Sequence, residues 1–332
     1  MRQLPATVPD SVGDSPRRVL VTGATGFIGS RVVPNLVRLG YEVHAVTRTA
    51  HASDGAVHWH PLDLFDPIAT NALIRAVEPT SLVHLAWITR HGMFWHADEN
   101  QAWLEASVNL ARVFSDNGGR RMTVAGTCAE YDWSRSPMTE DGTPLRPGTP
   151  YGTAKAQAFE RLSSLAEQRG LELAWGRVFF VFGPGEQAGR LVPSVACPLL
   201  DGRQAHVGAG SQRRDFLYVE DLGRALAMLH DSQVTGAVNL ASGRSVRVTE
   251  VVDLVARAAG RPDLIVHDRP PADGSEPDEL VADVTKLREV VGFEPAWELG
   301  QAIEATVDWW RSRAGLKSTH PAGESGTRGS DG

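Results

Sequence analysis

Tyr151 and Lys155 stand four residues apart in TPYGTAK. On a helix that spacing puts both side chains on one face, about one turn apart. A free tyrosine has a pKa of ~10 and exchanges protons poorly near neutrality. A neighbouring ammonium favours the phenolate and brings that pKa toward working pH. The pair therefore suits moving a proton on and off an oxygen. The run GTCAEYD adds a hydroxyl at Thr127. It could bond a substrate oxygen beside Tyr151, or bond locally to strand-end backbone. Cys128 beside it reads as a small buried residue rather than a nucleophile, because no His partner motif lies nearby.

A second constellation lies near the start of the chain. VTGATGFIGSR spaces Gly23, Gly26 and Gly29 at three-residue intervals between a β-branched run and a helical pattern. Missing side chains let backbone N–H groups approach a pyrophosphate, and the helix N-terminus adds favourable partial charge. A bare glycine triplet is weak. At the first strand–helix junction of a βαβ pattern it points to a dinucleotide. NAD sites usually place Asp or Glu at the end of the second strand to hold the ribose 2′-OH. Here that strand ends Val46-Thr47-Arg48, and the first acid afterwards, Asp54, falls deep in the loop. Arg48 could pair with a 2′-phosphate through its forked donors, or be a solvated loop charge. The reading favours NADP(H), with NAD(H) as the alternative. Asp63, followed by Leu64, could accept from the adenine amino group or serve as a turn residue.

These groups must be positioned by alternating elements. Strands are expected at Arg18–Thr22, Tyr41–Val46, Val57–His60, Ser81–Leu85, Arg121–Ala125 and Leu171–Val178, from short apolar runs bounded by turn residues. Helices are expected at Phe27–Leu39, Asn71–Val77, Asp98–Asp116 and Pro150–Gln168. Thr149 is the expected N-cap of the last, with Pro150 in its first position. Such alternation predicts an α/β fold, a Rossmann-type doubly wound parallel sheet. Residues 183–215 are rich in Gly and Pro and carry Arg190, Arg203, Arg213 and Arg214. Phe216–Leu229 and Ala237–Leu240 return to the strand–helix rhythm, and helices are expected at Val248–Ala259, Val284–Val291 and Ala302–Arg311. The division expected is a dinucleotide-binding domain over 17–180, completed by about 216–242. A smaller, interleaved C-terminal substrate domain takes 181–215 and 243–314. Residues 1–16 and 315–332 read as loose tails.

Composition narrows the class. The chain has 332 residues, 42% apolar and 22% charged, an ordinary globular mixture. A net charge of -7 argues against a general binder of nucleic acid or membrane surfaces. The two cysteines form neither a metal cluster nor a disulfide framework, so no metal site is expected and the chain reads as cytoplasmic. No stretch stays apolar for 18 residues, and the N-terminus lacks the apolar core of a signal peptide.

Across about residues 18–310 the chain resembles the extended short-chain dehydrogenase/reductase family, the branch of nucleotide-sugar epimerases, dehydratases and reductases. The carriers are TGATGFIGS, Asp63-Leu64, the HLA at His84–Ala86, Asn109 in SVNLAR, GTCAEYD, PYGTAK, the Arg177–Pro184 segment, RDFLYVEDL at 214–222 and LVADVTKLREVVGFEP at 280–295. The resemblance implies that Tyr151 is the acid/base, Lys155 its partner and Thr127 the third member. Asn109 would support the catalytic helix or a proton relay. Gly23, Thr25, Gly26, Phe27, Ile28, Gly29, Arg48, Asp63, Leu64, Leu85 and Ala86 would line the dinucleotide, with Tyr151 and Lys155 at its nicotinamide end. The C-terminal region would take a nucleoside diphosphate sugar. Arg214 is a candidate phosphate ligand, and Arg190 and Arg269 are further candidates, although the segment after Arg269 is longer than usual. A homodimer through the helices near 98–117 and 150–168 is also implied.

Departures from the family pattern bear on the reaction. In the family's 4,6-dehydratases an Asp-Glu pair follows the catalytic Thr and performs the elimination. Here those positions are Cys128 and Ala129, which cannot. Phe180 replaces the usual Asn of the R-x-x-N-V-Y-G-P segment, removing an expected polar substrate contact. Trp87 follows HLA where a small residue is frequent. With Trp95, Trp103 and Trp133 it either narrows the sugar pocket or belongs to the core. The expected activity is NADPH-dependent reduction of the 4-keto group of a nucleotide-linked 4-keto-6-deoxyhexose. An NAD-dependent 4-epimerase is the alternative. A non-catalytic dinucleotide-binding protein is disfavoured because both Tyr151 and Lys155 are present.

Overall fold

The run Arg18–Thr22 forms β1, whose side chains are apolar on both faces. Val19 and Val21 enter one hydrophobic cluster and Leu20 the other, as the two-residue period of a strand requires. A strand buried on both faces belongs at the middle of a parallel sheet. The computed structural model, which describes residues 17–49, 51, 55–90, 92–268 and 277–313, places it there. From β1 the chain passes through α1 (Gly29–Arg38), β2 (Glu42–Thr47), β3 (Val57–Pro61), α2 (Pro67–Val77), β4 (Ser81–His84) and α3 (Glu99–Asp116). It continues through β5 (Arg121–Thr127), α4 (Pro150–Arg169) and β6 (Glu172–Val178). Then follow β7 (Phe180–Phe182), α5 (Leu191–Leu200), β8 (Ala205–Val207), β9 (Arg213–Arg214), β10 (Phe216–Tyr218), α6 (Val219–Asp231) and β11 (Gly236–Leu240).

The seven-stranded sheet has the order β11-β6-β5-β4-β1-β2-β3, and every pairing in it is parallel. Helices cover both faces. Val32 and Leu36 of α1 and Leu222 and Leu226 of α6 pack with Val21 on one side. Leu104 and Phe114 of α3, with Leu162 of α4, pack with Leu82, Met122 and Trp175 on the other. This is the Rossmann-type α/β fold expected from the sequence, and the major elements lie within a few residues of their expected bounds. The strand order reverses between β1 and β4, so the crevice for a ligand opens above their carboxyl ends.

The remaining chain supplies β12 (Val246–Arg247), α7 (Val248–Ala259), β13 (Ile265–His267), β14 (Glu279–Leu280), α8 (Thr285–Glu289) and α9 (Leu299–Arg313). β9 pairs antiparallel with β12 and parallel with β14, β7 pairs with β10, and β8 with β13. The acids of RDFLYVEDL stitch these pieces together. Buried Asp215 accepts from the backbone of Ser242, Gly243 and Ala282. Asp221 accepts from Ala296 and Trp297. Among the described residues no helix is long and apolar enough to cross a membrane.

Candidate active site

Each glycine of the first turn has its own steric reason. Gly23 adopts φ +70, and a Cβ there would stand 2.8 Å from the backbone of Leu85 and Ala86. The turn thus lies against the carboxyl end of β4, at the switch point. A Cβ on Gly29 would stand 2.1 Å from the Gly23 carbonyl oxygen, so α1 can start this close only with glycine. Gly26 donates to the Gly23 carbonyl at 3.0 Å and is exposed, as is Thr25. Phe27 and Ile28 are half-buried beside them. Helix α1 has no side-chain cap and no acid in its first turn, so the positive end of its dipole is not neutralised by a side chain, although the Ser30 and Arg31 N–H groups are taken by the Gly26 and Ile28 carbonyls. A bare, positively polarised cradle of this kind fits a dinucleotide pyrophosphate. Gly29→Ala should therefore cost about 1–3 kcal/mol of stability through overpacking. It should also weaken dinucleotide binding at least tenfold, read by fluorescence titration beside a thermal melt. An unchanged affinity would speak against this cradle.

His84, from HLA, fastens the two strand ends. Its Nδ1 lies 2.7 Å from the Thr22 hydroxyl and its Nε2 2.8 Å from the Ser107 hydroxyl. Ser107 donates onward to the Trp103 carbonyl, so its oxygen accepts the His84 Nε2 proton and His84 Nδ1 accepts from Thr22. Thr22 Oγ1 in turn accepts from the N–H groups of Leu85 and Ala86. Burial pushes the imidazole down to about 3, so it stays neutral and acts as a fixed link.

The catalytic helix begins as its sequence dictates. Thr149 accepts from Gly152 N at 3.1 Å, and Pro150 occupies the first turn. A Cβ on Gly152 would lie 2.3 Å from the Ala129 carbonyl, so this glycine lets α4 press against the Cys128–Glu130 turn. Tyr151 is thereby brought beside the Thr127 side chain. Burial raises the Tyr151 phenol well above its ordinary range, while Thr127 and the Arg190 charge act the other way. Phe94 meets the Tyr151 ring edge-on at 4.9 Å and Trp95 does so at 5.6 Å. Lys155 is buried, donates to the Ala125 carbonyl at 2.7 Å and lies 3.8 Å from the centre of the Trp87 ring. Burial pushes its ammonium down to about 7, with the Glu130 carboxylate pulling upward.

Thr127 is held from below. Its N–H donates to Glu130 Oε1 at 2.7 Å and its hydroxyl accepts from Ala129 N, a reciprocal cap. Glu130 is itself paired with Arg177 at 2.8 Å, and both side chains are sealed from solvent. Cys128 and Ala129 are buried, and burial pushes the thiol up to about 12, so neither supplies an acid or a base.

The other expected residues lie at separate places on the fold. Arg48, at the carboxyl end of β2, is exposed and makes no ion pair to a described residue. Asp63 is exposed and accepts from Phe65 N at 3.0 Å, while Leu64 is buried. Arg214 and Phe180 are brought together, with the guanidinium 5.5 Å from the ring, and Arg214 also donates to the carbonyls of Arg213 and Pro277. Arg190 donates to Glu186 at 3.0 Å. Asn109 is half-buried on α3. Arg269 lies outside the described residues, as does Asp54.

Sequence reasoning missed two groups here. Asn100 accepts from the Trp87 indole at 2.9 Å and donates to the Phe94 carbonyl at 2.7 Å, fixing the aromatic wall around Tyr151 and Lys155. Glu186 is 4% exposed and is raised to about 7 by burial, the Arg190 charge opposing. A polar residue inside an aromatic-rich stretch was the available signal for Asn100; Glu186 had none.

The profile of the NAD dependent epimerase/dehydratase family matches residues 19–241. The chain belongs to this family, within the extended short-chain dehydrogenase/reductases, and is an NAD(P)-dependent enzyme of the oxidoreductase type. It is similar to a dTDP-4-dehydro-6-deoxy-D-allose reductase of a Streptomyces species. The two are 29% identical over 320 residues, covering 89% of this chain and 96% of the reductase. The UDP-glucose 4-epimerase of Thermotoga maritima, solved with UDP-glucose, shares the fold. Its TM-score is 0.79 at 23% identity, over 90% of this chain and 99% of that one. The UDP-glucose 4-epimerase of Thermus thermophilus, solved with NAD, has a TM-score of 0.74 at 26% identity, over 89% of this chain and 99% of its own.

Proposed function

We propose that this enzyme reduces the 4-keto group of a nucleoside-diphosphate-linked 4-keto-6-deoxyhexose, with NADPH as reductant. The carrying observation is the surroundings of Tyr151: a phenol held protonated by burial, beside the Thr127 hydroxyl and close to two buried residues unable to eliminate water. A protonated phenol is the form a reductase needs, since its task is to give a proton to the new alkoxide. The bound dinucleotide supplies the hydride. Thr127 Oγ1 holds the substrate oxygen, Tyr151 Oη delivers its proton there, and the Lys155 ammonium steadies the phenolate left behind. Arg190, held by its bond to Glu186, sets a positive charge near Tyr151 that lowers the cost of that phenolate. Residues 181–215 and 243–314 would carry the nucleotide sugar, with Arg214 and Arg269 for its phosphates and Phe180 and Trp87 against its apolar face. The similarity to a 4-dehydro-6-deoxy sugar reductase supports the reading.

A 4-epimerase is the second reading, because the same three residues serve it and a relative of that name was solved with NAD. The test adds NADPH and a thymidine-diphosphate 4-keto-6-deoxy sugar to the purified protein and follows absorbance. Stoichiometric loss of NADPH is the expected result. Epimer exchange with no net NADPH consumption would overturn the reductase reading. Cofactor choice has its own test at Arg48. Removing a hydrogen bond to a charged group typically costs about 1.5–3 kcal/mol, so Arg48→Ala should weaken NADPH binding roughly 10- to 100-fold and leave NADH nearly unchanged. Equal loss for both cofactors, or none, would return the preference to NAD(H).

A further inference from the structure

The sheet edge farthest from the catalytic helix carries a group of side chains that the proposed reaction does not use. Glu42 and His44 lie on one face of β2, because they are two residues apart. His58 and His60 lie on the same face of the neighbouring edge strand β3. His44 stands directly opposite His58, and Val46 opposite His60. The cluster thus begins at the amino end of β2, away from the Arg48 end where the dinucleotide would lie. His44 is 8% exposed, while Glu42 and His58 are half-buried.

We propose that Glu42, His44 and His58 bind one divalent transition-metal ion of the zinc type, with His60 orienting the His44 ring. One ligand atom from each of the three lies within 4.8 Å of the others. His44 Nε2 is 3.0 Å from Glu42 Oε1, and His58 Nε2 is 3.8 Å from the same oxygen. Zinc bonds of about 2.0–2.1 Å in tetrahedral array put ligand atoms roughly 3.4 Å apart. Those two separations bracket that value, the third is no more than 4.8 Å, and the half-exposed Glu42 and His58 can adjust. Two imidazoles and a carboxylate suit zinc, nickel, cobalt or copper better than calcium or magnesium. Water would complete the shell.

The second contact of His44 is what distinguishes this group from a chance cluster. Its Nδ1 lies 2.9 Å from His60 Nε2. A metal-bound histidine almost always gives its other ring proton to a fixed acceptor. With metal on His44 Nε2, the Nδ1 proton goes to His60 Nε2, which needs only the tautomer protonated at Nδ1. The positive neighbour is Arg18 on β1, whose Nε lies 3.8 Å from Glu42 Oε2. It engages the other carboxylate oxygen and leaves Oε1 turned to the histidines. An ion here would tie the edge strand to its neighbour.

The test uses tag-free full-length protein, stripped with chelator and titrated with Zn2+ at neutral pH by calorimetry. One ion per chain is expected. His58→Ala and Glu42→Gln, both at half-exposed positions, should abolish stoichiometric binding while leaving the metal-free melting curve close to wild type. His60→Ala should weaken binding about 10- to 100-fold, the usual effect of losing such an outer partner. His206→Ala, which removes the exposed imidazole paired with Asp268 at 2.8 Å, should change nothing. No saturable Zn2+ binding by wild type would overturn the proposal. So would binding that survives both His58→Ala and Glu42→Gln, or binding lost with His206→Ala.

Discussion

Tyr151→Phe is expected to lower turnover by ~10²–10⁴-fold, the usual contribution of a general acid–base group. The fold should not suffer. Phenylalanine keeps the edge-on contacts with Phe94 and Trp95, and only the hydroxyl beside Thr127 is lost. Dinucleotide affinity should stay within a few fold of wild type, because the glycine cradle is untouched. The loss must therefore appear in kcat, measured from NADPH absorbance under saturating substrate. A variant keeping a tenth or more of wild-type turnover would remove Tyr151 from its role.

Lys155 adds a pH signature to the same experiment. Its ammonium is pushed down to about 7, so the positive charge is present below that value and lost above it. If that charge steadies the phenolate, kcat/KM of the wild type should fall as pH rises through about 7. The fall should be absent from Lys155→Met at its lower, flat rate.

Much of this site was legible in the sequence because its parts are local. Glycines at three-residue spacing, Thr149-Pro150 at a helix start, and Tyr151 with Lys155 one turn apart each report geometry within a single strand–helix junction. The sheet followed because long runs such as Arg121–Thr127 and Glu172–Val178 are buried on both faces. What escaped was set by distance or by brevity. Helix α5 carries Pro193 and Pro198 within a Gly-rich stretch, which masks its apolar face. β9, β12 and β14 are two residues each, too short to show a period. The histidines of β2 and β3 alternate visibly, yet only the register His44↔His58 makes them one cluster. The seat of Lys155 on Trp87 joins helix α4 to the segment after β4, which no local spacing connects.

The same is true of the ion pair beneath Thr127, and breaking it should have the largest effect on stability. Glu130 and Arg177 come from a turn and a strand far apart in sequence, with side chains 0% and 1% exposed. The carboxylate is fully engaged. It accepts from Arg177 Nε at 2.8 Å, from the Trp175 indole at 3.0 Å and from Thr127 N at 2.7 Å. Arg177 also donates to the Tyr131 hydroxyl at 2.9 Å, which donates to Asn239 at 2.7 Å. A Cβ on Gly126 would meet Glu130 Oε1 at 2.7 Å and the Trp175 indole nitrogen at 2.1 Å, so even the neighbouring backbone is shaped around this network. Arg177→Met keeps most of the apolar stem but strands the carboxylate, and removing one member of a buried pair typically costs about 3–5 kcal/mol. Glu130→Gln combined with Arg177→Met leaves no isolated charge and should recover part of that loss. Urea unfolding of the four proteins closes the cycle. The double variant also carries a functional consequence. The Glu130 charge supports the Lys155 ammonium, so its removal should shift the alkaline fall in kcat/KM to lower pH. A loss below about 1 kcal/mol in Arg177→Met would mean that the pair contributes no more than an exposed one.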